Sequence, residues 1–216
     1  MIGIGMDRNV YQSTRMNITY LIVFLTVPLY LLDQATKFWT VMNFPDPPPG
    51  YFSSEKVIPL IENTFHWVRV HNQGVAFGLG NGSAWAPIVF LFVPFIALVM
   101  LRIFWKKGVF AHPLSKLAIA LLLAGILGNL TDRLVQGFLL NAYKSADFLE
   151  RLSQGYVVDF VAIRIPWYAK IAPTQEGWWP AFNVADSCIC IAAILLFVGS
   201  VRDEQLTKKS AGEPAI

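Results

Sequence analysis

Two aspartates in separate parts of the chain have the chemistry needed to hydrolyse an amide bond. Asp159 lies in "GYVVDFV" and Asp186 lies in "FNVADSC", 27 residues further on. Two carboxyl groups about 3 Å apart cannot both ionise easily, so they share one proton. The ionised group could take a proton from water while the protonated group donates to a carbonyl oxygen. Spacing in sequence does not bring the two together, so the fold has to.

Three pairs of polar residues have the spacing of a single helix face. They are Asp33 with Lys37, Asn129 with Arg133, and Asn183 with Asp186. Side chains three or four residues apart meet on a helix surface. Gly125 and Gly128 would let another backbone approach the helix that carries Asn129. We therefore expect these polar groups to face a common pocket.

The composition favours a membrane protein. Hydrophobic residues make up 55% of the chain and charged residues 14%, whereas a soluble domain carries about 25% charged residues. The net charge of +3 is modest, and the basic residues do not form a stripe that would bind nucleic acid. The 216 residues suffice for one integral membrane domain, which we expect to cover positions 1–216.

Four segments approach the length of about 20 apolar residues that a bilayer-spanning helix needs. We predict helices at about 18–39, 84–105, 114–135 and 181–201. The first has no small-x-small cleavage site after its apolar core, so we expect a retained anchor. Nine of the 17 basic residues cluster at the N-terminus, at 102–116 and in the C-terminal tail. The positive-inside rule then places both termini in the cytoplasm and the loops at about 40–83 and 136–180 outside.

The two outer loops carry their own structural signals. "FHWVRV" (65–70) and "GYVVDFVAIRIPWY" (155–168) are rich in β-branched and aromatic residues, which predicts a small β-sheet. "NAYKSADFLERL" (141–152) has helical spacing and predicts a short helix at the membrane interface. "PDPPPG" (45–50) is typical of a stiff spacer, because proline lacks an amide donor. The predicted fold is a mainly α membrane protein with four transmembrane helices, a small sheet and a short interfacial helix on the outer face.

Charged side chains inside a spanning helix are costly, about 2.5 to 3.5 kcal/mol for Asp, Lys or Arg at the helix centre. Five such residues fall near the outer ends of predicted helices: Asp33, Lys37, Asp132, Arg133 and Asp186. Snorkelling to the interface explains Lys37 and, in part, Asp33. It explains Asp186 less well, because its side chain is short and about fourteen apolar residues follow it. About two turns into its predicted helix, Asp186 is also poorly placed to cap that helix.

Other chemistries have little support in the sequence. Ser187 and Cys188 have no candidate base nearby, and no G-x-S-x-G, H-E-x-x-H or Gly-rich phosphate motif occurs. Cys188 and Cys190 lie in an apolar run without a third metal ligand nearby, which is typical of small core residues. We expect no metal and no cofactor. Two alternatives stay open: a small proton-coupled transporter, and a non-catalytic scaffold whose aspartates cap helices.

Five motifs occur in a fixed order along the four predicted helices. They are "DQATK" (33–37), "NQGVAFG" (72–78), "GNLTDR" (128–133), "VVDF" (157–160) and "FNVAD" (182–186). Each is weak singly, but together they are specific. Over about residues 18–202 the chain resembles the lipoprotein signal peptidase family, also called signal peptidase II. The stretch of about 23 residues between "TDR" and "VVDF" is longer than the family pattern.

The resemblance implies a bacterial inner-membrane aspartic peptidase. Such an enzyme removes the signal peptide from prolipoproteins that carry a diacylglyceryl group on a cysteine, and it cuts just before that cysteine. Asp159 and Asp186 match the catalytic dyad of the family. The implied partners are the prolipoprotein and membrane lipid, without nucleic acid, and we expect a monomer.

The resemblance also assigns supporting residues. Asn72 and Gly74 match positions around the substrate backbone, while Asn129, Arg133 and Asn183 match polar residues of the substrate pocket. Three more match supporting positions, with Asp132 orienting the end of the helix that carries Arg133: Asp33, Lys37 and Asp132.

Overall fold

Four long apolar helices dominate the fold. The computed structural model describes residues 17–47, 56–74, 83, 85–110, 112–172 and 176–211. The long helices are α1 (Ile18–Asn43), α2 (Ala86–Lys106), α3 (Pro113–Leu139) and α5 (Val184–Ala211). Each contains a stretch long and apolar enough to cross a membrane, as predicted. Residues 48–50 of the proline-rich spacer and residues 75–78 of "NQGVAFG" lie outside the described residues.

The helix ends differ from the predicted bounds because polar contacts set them. α1 continues to Asn43, where Arg69 Nη1 donates to the Phe44 carbonyl at 2.7 Å. α3 continues to Leu139. α5 begins later than predicted, because Phe182 still forms a β-bridge with Val161. The apolar run beginning at position 181 is therefore extended chain at first and becomes helix only from Val184.

α3 is the most buried of the four spans, and α5 packs closely against it. A Cβ atom placed on Gly125 would lie 2.5 Å from the Ala185 carbonyl oxygen, and one on Gly128 would lie 2.6 Å from an Asp33 carboxylate oxygen. The close backbone approach expected from these glycines is confirmed. It brings the beginning of α5 and the outer half of α1 against the same part of α3.

A three-stranded antiparallel sheet with the order β1-β2-β3 lies beside the end of α1. Its strands are β1 (Ile58–Ile61), β2 (Phe65–Asn72) and β3 (Val157–Ile163). Between β2 and β3, Val70 pairs with Asp159, and a register shift follows Trp67. Trp67 Nε1 donates to Thr40 Oγ1 at 2.8 Å, which fastens the sheet to α1.

The predicted helix over 141–152 is two separate pieces. A 3₁₀ turn at Asn141–Tyr143 precedes a short helix α4 (Phe148–Ser153). The break occurs because Asp147 is extended and caps α4, with its carboxylate accepting from Glu150 N at 2.8 Å. Phe148 and Leu149 are exposed on α4.

Candidate active site

Asp159 lies in the middle of β3 and is almost completely buried. Its Oδ2 accepts a hydrogen bond from Asn72 Nδ2 at 3.0 Å, and its Oδ1 accepts from Asn183 Nδ2 at 2.7 Å. Burial first, and then the negative charge of Asp186, raise the pKa of Asp159 well above its ordinary value. A carboxyl in this position favours the protonated form.

Asp186 lies in the first turn of α5, not two turns inside it. Its amide N donates to Asn183 Oδ1 at 2.9 Å, and its Oδ2 accepts from Asn183 N at 3.2 Å. These reciprocal bonds form a capping box around the start of the helix. The expectation that Asp186 is poorly placed to cap this helix is therefore wrong, because the helix starts later than its apolar run indicates.

Asn183 connects the two carboxyl groups. Its side-chain oxygen accepts from the Asp186 amide while its Nδ2 donates to Asp159. The Asn183 backbone amide also donates to Asp186 Oδ2 at 3.2 Å, so this one residue contacts both carboxyl groups. The fold thus brings β3 and the start of α5 together around one fully buried asparagine.

Three asparagines direct their NH₂ groups at these carboxyls, and each is held in that orientation by a donor on its oxygen. Gly74 N donates to Asn72 Oδ1 at 3.1 Å. Lys37 Nζ donates to Asn129 Oδ1 at 3.0 Å, so that Asn129 Nδ2 faces Asp186 Oδ1 at 2.8 Å. Asn183 completes the set through its bond from the Asp186 amide. If an asparagine side chain were flipped, its amide oxygen would face the carboxylate, and the hydrogen bonds of both its NH₂ group and its oxygen would be lost. These partners therefore fix the orientation of each side chain.

Arg133 and Gly74 meet at the turn that follows β2. The Arg133 guanidinium is buried, and it donates to the Gly74 carbonyl at 2.9 Å and to the Gln73 carbonyl at 3.5 Å. It also lies 5.7 Å from the centre of the Phe90 ring. Arg133 thereby holds the turn that directly follows Asn72, the residue that contacts Asp159.

Lys37 does not snorkel, contrary to the expectation from its place near a helix end. Only 1% of its side chain is exposed, and its ammonium lies 2.8 Å from Asp33 Oδ2 and 2.9 Å from Asp132 Oδ2. The i,i+4 pair with Asp33 is confirmed. Asp132 contacts Lys37 and the Val158 amide, so it fastens α3 to β3.

The polar contacts of Gln34 at the site were not predicted. Gln34 Nε2 donates to Asp33 Oδ2 at 3.1 Å and to the Gly128 carbonyl at 3.1 Å. The sequence signal that could have predicted these contacts is the position of Gln34 directly after Asp33 in "DQATK". Among the residues that the structure describes, no three His, Cys, Asp or Glu side chains are grouped to hold a metal ion.

Comparisons with known proteins agree on one family. The sequence profile described as Signal peptidase (SPase) II matches residues 25–202. The lipoprotein signal peptidase of Halalkalibacterium halodurans is 30% identical over 190 residues, which cover 88% of this chain and 96% of the relative. That of Syntrophomonas wolfei is 29% identical over 181 residues, covering 84% and 93%. That of Pseudomonas aeruginosa is 29% identical over 199 residues, covering 89% and 92%.

Solved structures give the same picture. Two bacterial membrane enzyme structures obtained by the in meso method are similar to this chain. One has a TM-score of 0.59 and 25% identity, with 92% of this chain and 93% of the other covered. The second has a TM-score of 0.55 and 26% identity, covering 84% and 93%. The profile match spans most of the chain, and the four apolar helices agree with it. The chain therefore belongs to the signal peptidase II family and is a multi-pass membrane peptidase.

Proposed function

We propose that this protein removes the signal peptide from prolipoproteins that carry a diacylglyceryl-modified cysteine, and that it cuts the bond just before that cysteine. The relatives named above are lipoprotein signal peptidases, which supports the substrate class. The observation that carries the mechanism is the convergence of two buried carboxyls, Asp159 and Asp186, on Asn183. The reaction is aspartic hydrolysis by an activated water.

The environments of the two carboxyls differ in how strongly they stabilise a negative charge. Asp159 lies within the sheet, and its raised pKa favours the form that carries the shared proton. Asp186 lies at a helix N-terminus, where the helix dipole favours a negative charge. It also accepts from Asn129 Nδ2 and from the Asn183 amide. We assign Asp159 as the acid and Asp186 as the base of the first step.

The reaction then runs in two steps without a covalent intermediate. Asp186 removes a proton from water as the water oxygen attacks the carbonyl carbon, and Asp159 donates its proton to the carbonyl oxygen. In the second step Asp186 passes its proton to the amide nitrogen, and the C–N bond breaks. One hydroxyl of the intermediate returns a proton to Asp159. The dyad is thus restored, and a carboxylic acid and an amine leave.

Five residues around the dyad form the proposed substrate-binding surface: Asn72, Gly74, Asn129, Arg133 and Asn183. Their contacts with the carboxyls and with the 73–74 turn support this role, since they hold the walls on either side of the dyad. The supporting role is proposed for three buried charged residues that contact Asn129 and the backbone beside the dyad: Asp33, Lys37 and Asp132. We also propose that the enzyme acts as a monomer.

The proposed location is the bacterial inner membrane, with both termini in the cytoplasm and the dyad near the outer face. The dyad lies where α1 and α3 end and α5 begins. Lys106 and Lys116 lie at the opposite ends of their helices, and Arg202 lies at the end of the apolar span of α5. The positive-inside rule assigns these positions to the cytoplasm. A lipid-bearing cysteine could reach this site with its acyl chains still in hydrocarbon.

A cleavage assay with purified protein tests the proposal. The detergent-solubilised protein is incubated with a prolipoprotein that carries the diacylglyceryl group, and mass spectrometry identifies the new N-terminus. Asp159→Asn and Asp186→Asn should each reduce cleavage by at least about 10³-fold, because each removes a partner in proton transfer. Asp147→Asn is the matched control, because Asn caps α4 as well as Asp does.

Each outcome has a definite meaning. Cleavage by either dyad variant at the parent rate would refute the aspartic mechanism. Equal cleavage of an unlipidated precursor would refute the requirement for the diacylglyceryl group. A product that does not begin at the modified cysteine would refute the cleavage position.

A further inference from the structure

Two aspartates outside the dyad each bind the backbone next to a dyad residue. Asp33 Oδ1 accepts from the amide of Ala185, the residue before Asp186, at 2.9 Å. Asp132 Oδ2 accepts from the amide of Val158, the residue before Asp159, at 3.0 Å. Each of these aspartates therefore fixes the peptide unit that leads into one dyad carboxyl.

Lys37 joins these two aspartates. Its ammonium lies 2.8 Å from Asp33 Oδ2, 2.9 Å from Asp132 Oδ2 and 3.0 Å from Asn129 Oδ1. An ammonium has three N–H donors, so all three are used. The third contact turns the NH₂ group of Asn129 toward Asp186. One buried cation thus connects the supports of both dyad residues.

Stability alone does not explain this cluster. Asp33, Lys37 and Asp132 are each about 1% exposed and carry one net negative charge together. Burying charged groups costs several kcal/mol per ion, and apolar residues of similar volume are often neutral or stabilising in their place. What apolar residues could not do is hold the Ala185 and Val158 amides at a fixed separation.

We propose that Asp33, Lys37 and Asp132 form a positioning triad that sets the separation and the aim of the Asp159 and Asp186 carboxyl groups. The inference rests on the dyad chemistry proposed above. The triad is about 1% exposed and acts through the two peptide units and through Asn129. Since a displacement of about 1 Å can reduce a rate about 10²-fold, loosening these contacts is expected to act on the chemical step.

The test uses a variant that keeps the net charge of the triad. Lys37→Met combined with Asp132→Asn leaves one negative charge, and the new amide at 132 can still accept from Val158 N. Lys37→Arg is the second variant, because it keeps the charge and so protects folding, but a planar guanidinium cannot reproduce a compact ammonium with three partners. Lys106→Met, an exposed lysine at the end of α2, is the matched control.

Both triad variants should reduce kcat about 10- to 100-fold and change KM less, because the triad acts on both dyad residues and reaches the proposed substrate-binding surface only through Asn129. The pH–rate profile should also become narrower, since carboxyls that move apart interact less and their two apparent pKa values approach each other. Arg133, a further charged side chain that interacts with the dyad, is unchanged in these variants. Each rate is divided by the amount of folded enzyme at that pH, so a merely structural role would leave the normalised profile unaltered.

The results separate this inference from the proposed function. If Asp159→Asn and Asp186→Asn abolish cleavage while both triad variants keep the parent kcat and profile width, the positioning role is overturned and the dyad stands. A loss confined to the amount of folded protein, with kcat per folded enzyme unchanged, would also overturn it. If the dyad variants remain active, the proposed function itself fails.

Discussion

Asn183 performs two tasks that a substitution can separate. Its Oδ1 accepts from Asp186 N at 2.9 Å and so caps α5, while its Nδ2 donates to Asp159 Oδ1 at 2.7 Å. Serine caps a helix about as well as asparagine does. Its short side chain cannot also reach Asp159. Asn183→Ser should therefore keep the helix start and remove the bond to Asp159.

The expected loss of rate follows from the kind of bond removed. Asp159 becomes ionised as it donates its proton in the first step, and a hydrogen bond to a charged group contributes about 1.5 to 3 kcal/mol. A factor of ten in rate corresponds to about 1.4 kcal/mol, so kcat/KM should fall about 10- to 150-fold. Asn183→Asp keeps the capping oxygen but places a carboxylate against Asp159, so its rate should fall further. Asn183 is fully buried, which leaves little access for water to replace the lost donor.

The assay combines two measurements on each preparation. Cleavage of the diacylglyceryl prolipoprotein gives kcat/KM, and tryptophan fluorescence on heating gives the unfolding temperature. Asn17→Ser is the matched control, because Asn17 also caps a helix by accepting from Thr19 N, but it lies at the other end of α1 and is exposed. An Asn183→Ser enzyme that unfolds like the parent and cleaves within twofold of its rate would refute the reasoning.

Two further substitutions test the packing and the pH dependence. Gly128→Ala would place a Cβ 2.6 Å from Asp33 Oδ2, which is too close for two non-bonded atoms. The overpacking should cost about 1–3 kcal/mol, whereas alanine gains about 1 kcal/mol in helix propensity. The Tm should therefore fall by a few degrees. Gly199→Ala, with its nearest neighbour at 3.5 Å, should not lower it, and equal Tm changes would contradict this account. Burial, and then a neighbouring positive charge, lower the pKa of His71 to about 2, whereas the unfolded chain takes up this proton near pH 6.5. Stability should therefore fall with pH below 6.5 by about 1.4 kcal/mol per unit, and His71→Phe, which keeps the ring stacked on Tyr156, should remove that dependence. Parallel unfolding curves for parent and variant from pH 7 to 5 would exclude a neutral buried His71.

Local spacing predicted the contacts that lie within one element. The i,i+4 rule gave the Asp33–Lys37 pair, and the two glycines of α3 indicated a close neighbour. Spacing could not give the second carboxylate on Lys37, because Asp132 belongs to another helix. Without that partner, snorkelling was the favoured interpretation of Lys37, and it is wrong.

The start of α5 illustrates a different limit. Hydropathy marks where apolar residues begin, but the backbone hydrogen bonds decide where a helix begins. Phe182 is apolar but pairs with β3, so the helix begins only after it, with Asn183 as its cap. The N-x-x-D spacing of Asn183 and Asp186 carried this information, since it resembles a capping box. The β-branched and aromatic residues of the long loops predicted a sheet. The register of its strands could not be predicted, because it depends on contacts between residues far apart in sequence.

The bond from the Ala185 amide to Asp33 joins residues 152 positions apart, and it has a consequence for biogenesis. During synthesis the ribosome completes α1 long before α5, so Asp33 and Lys37 enter the bilayer with half of their partners still missing. The proposed dyad is complete only when the final helix inserts. If that dyad is the catalytic centre, a nascent or truncated chain cannot cleave peptide bonds, and no inhibitory propeptide is needed to keep it inactive.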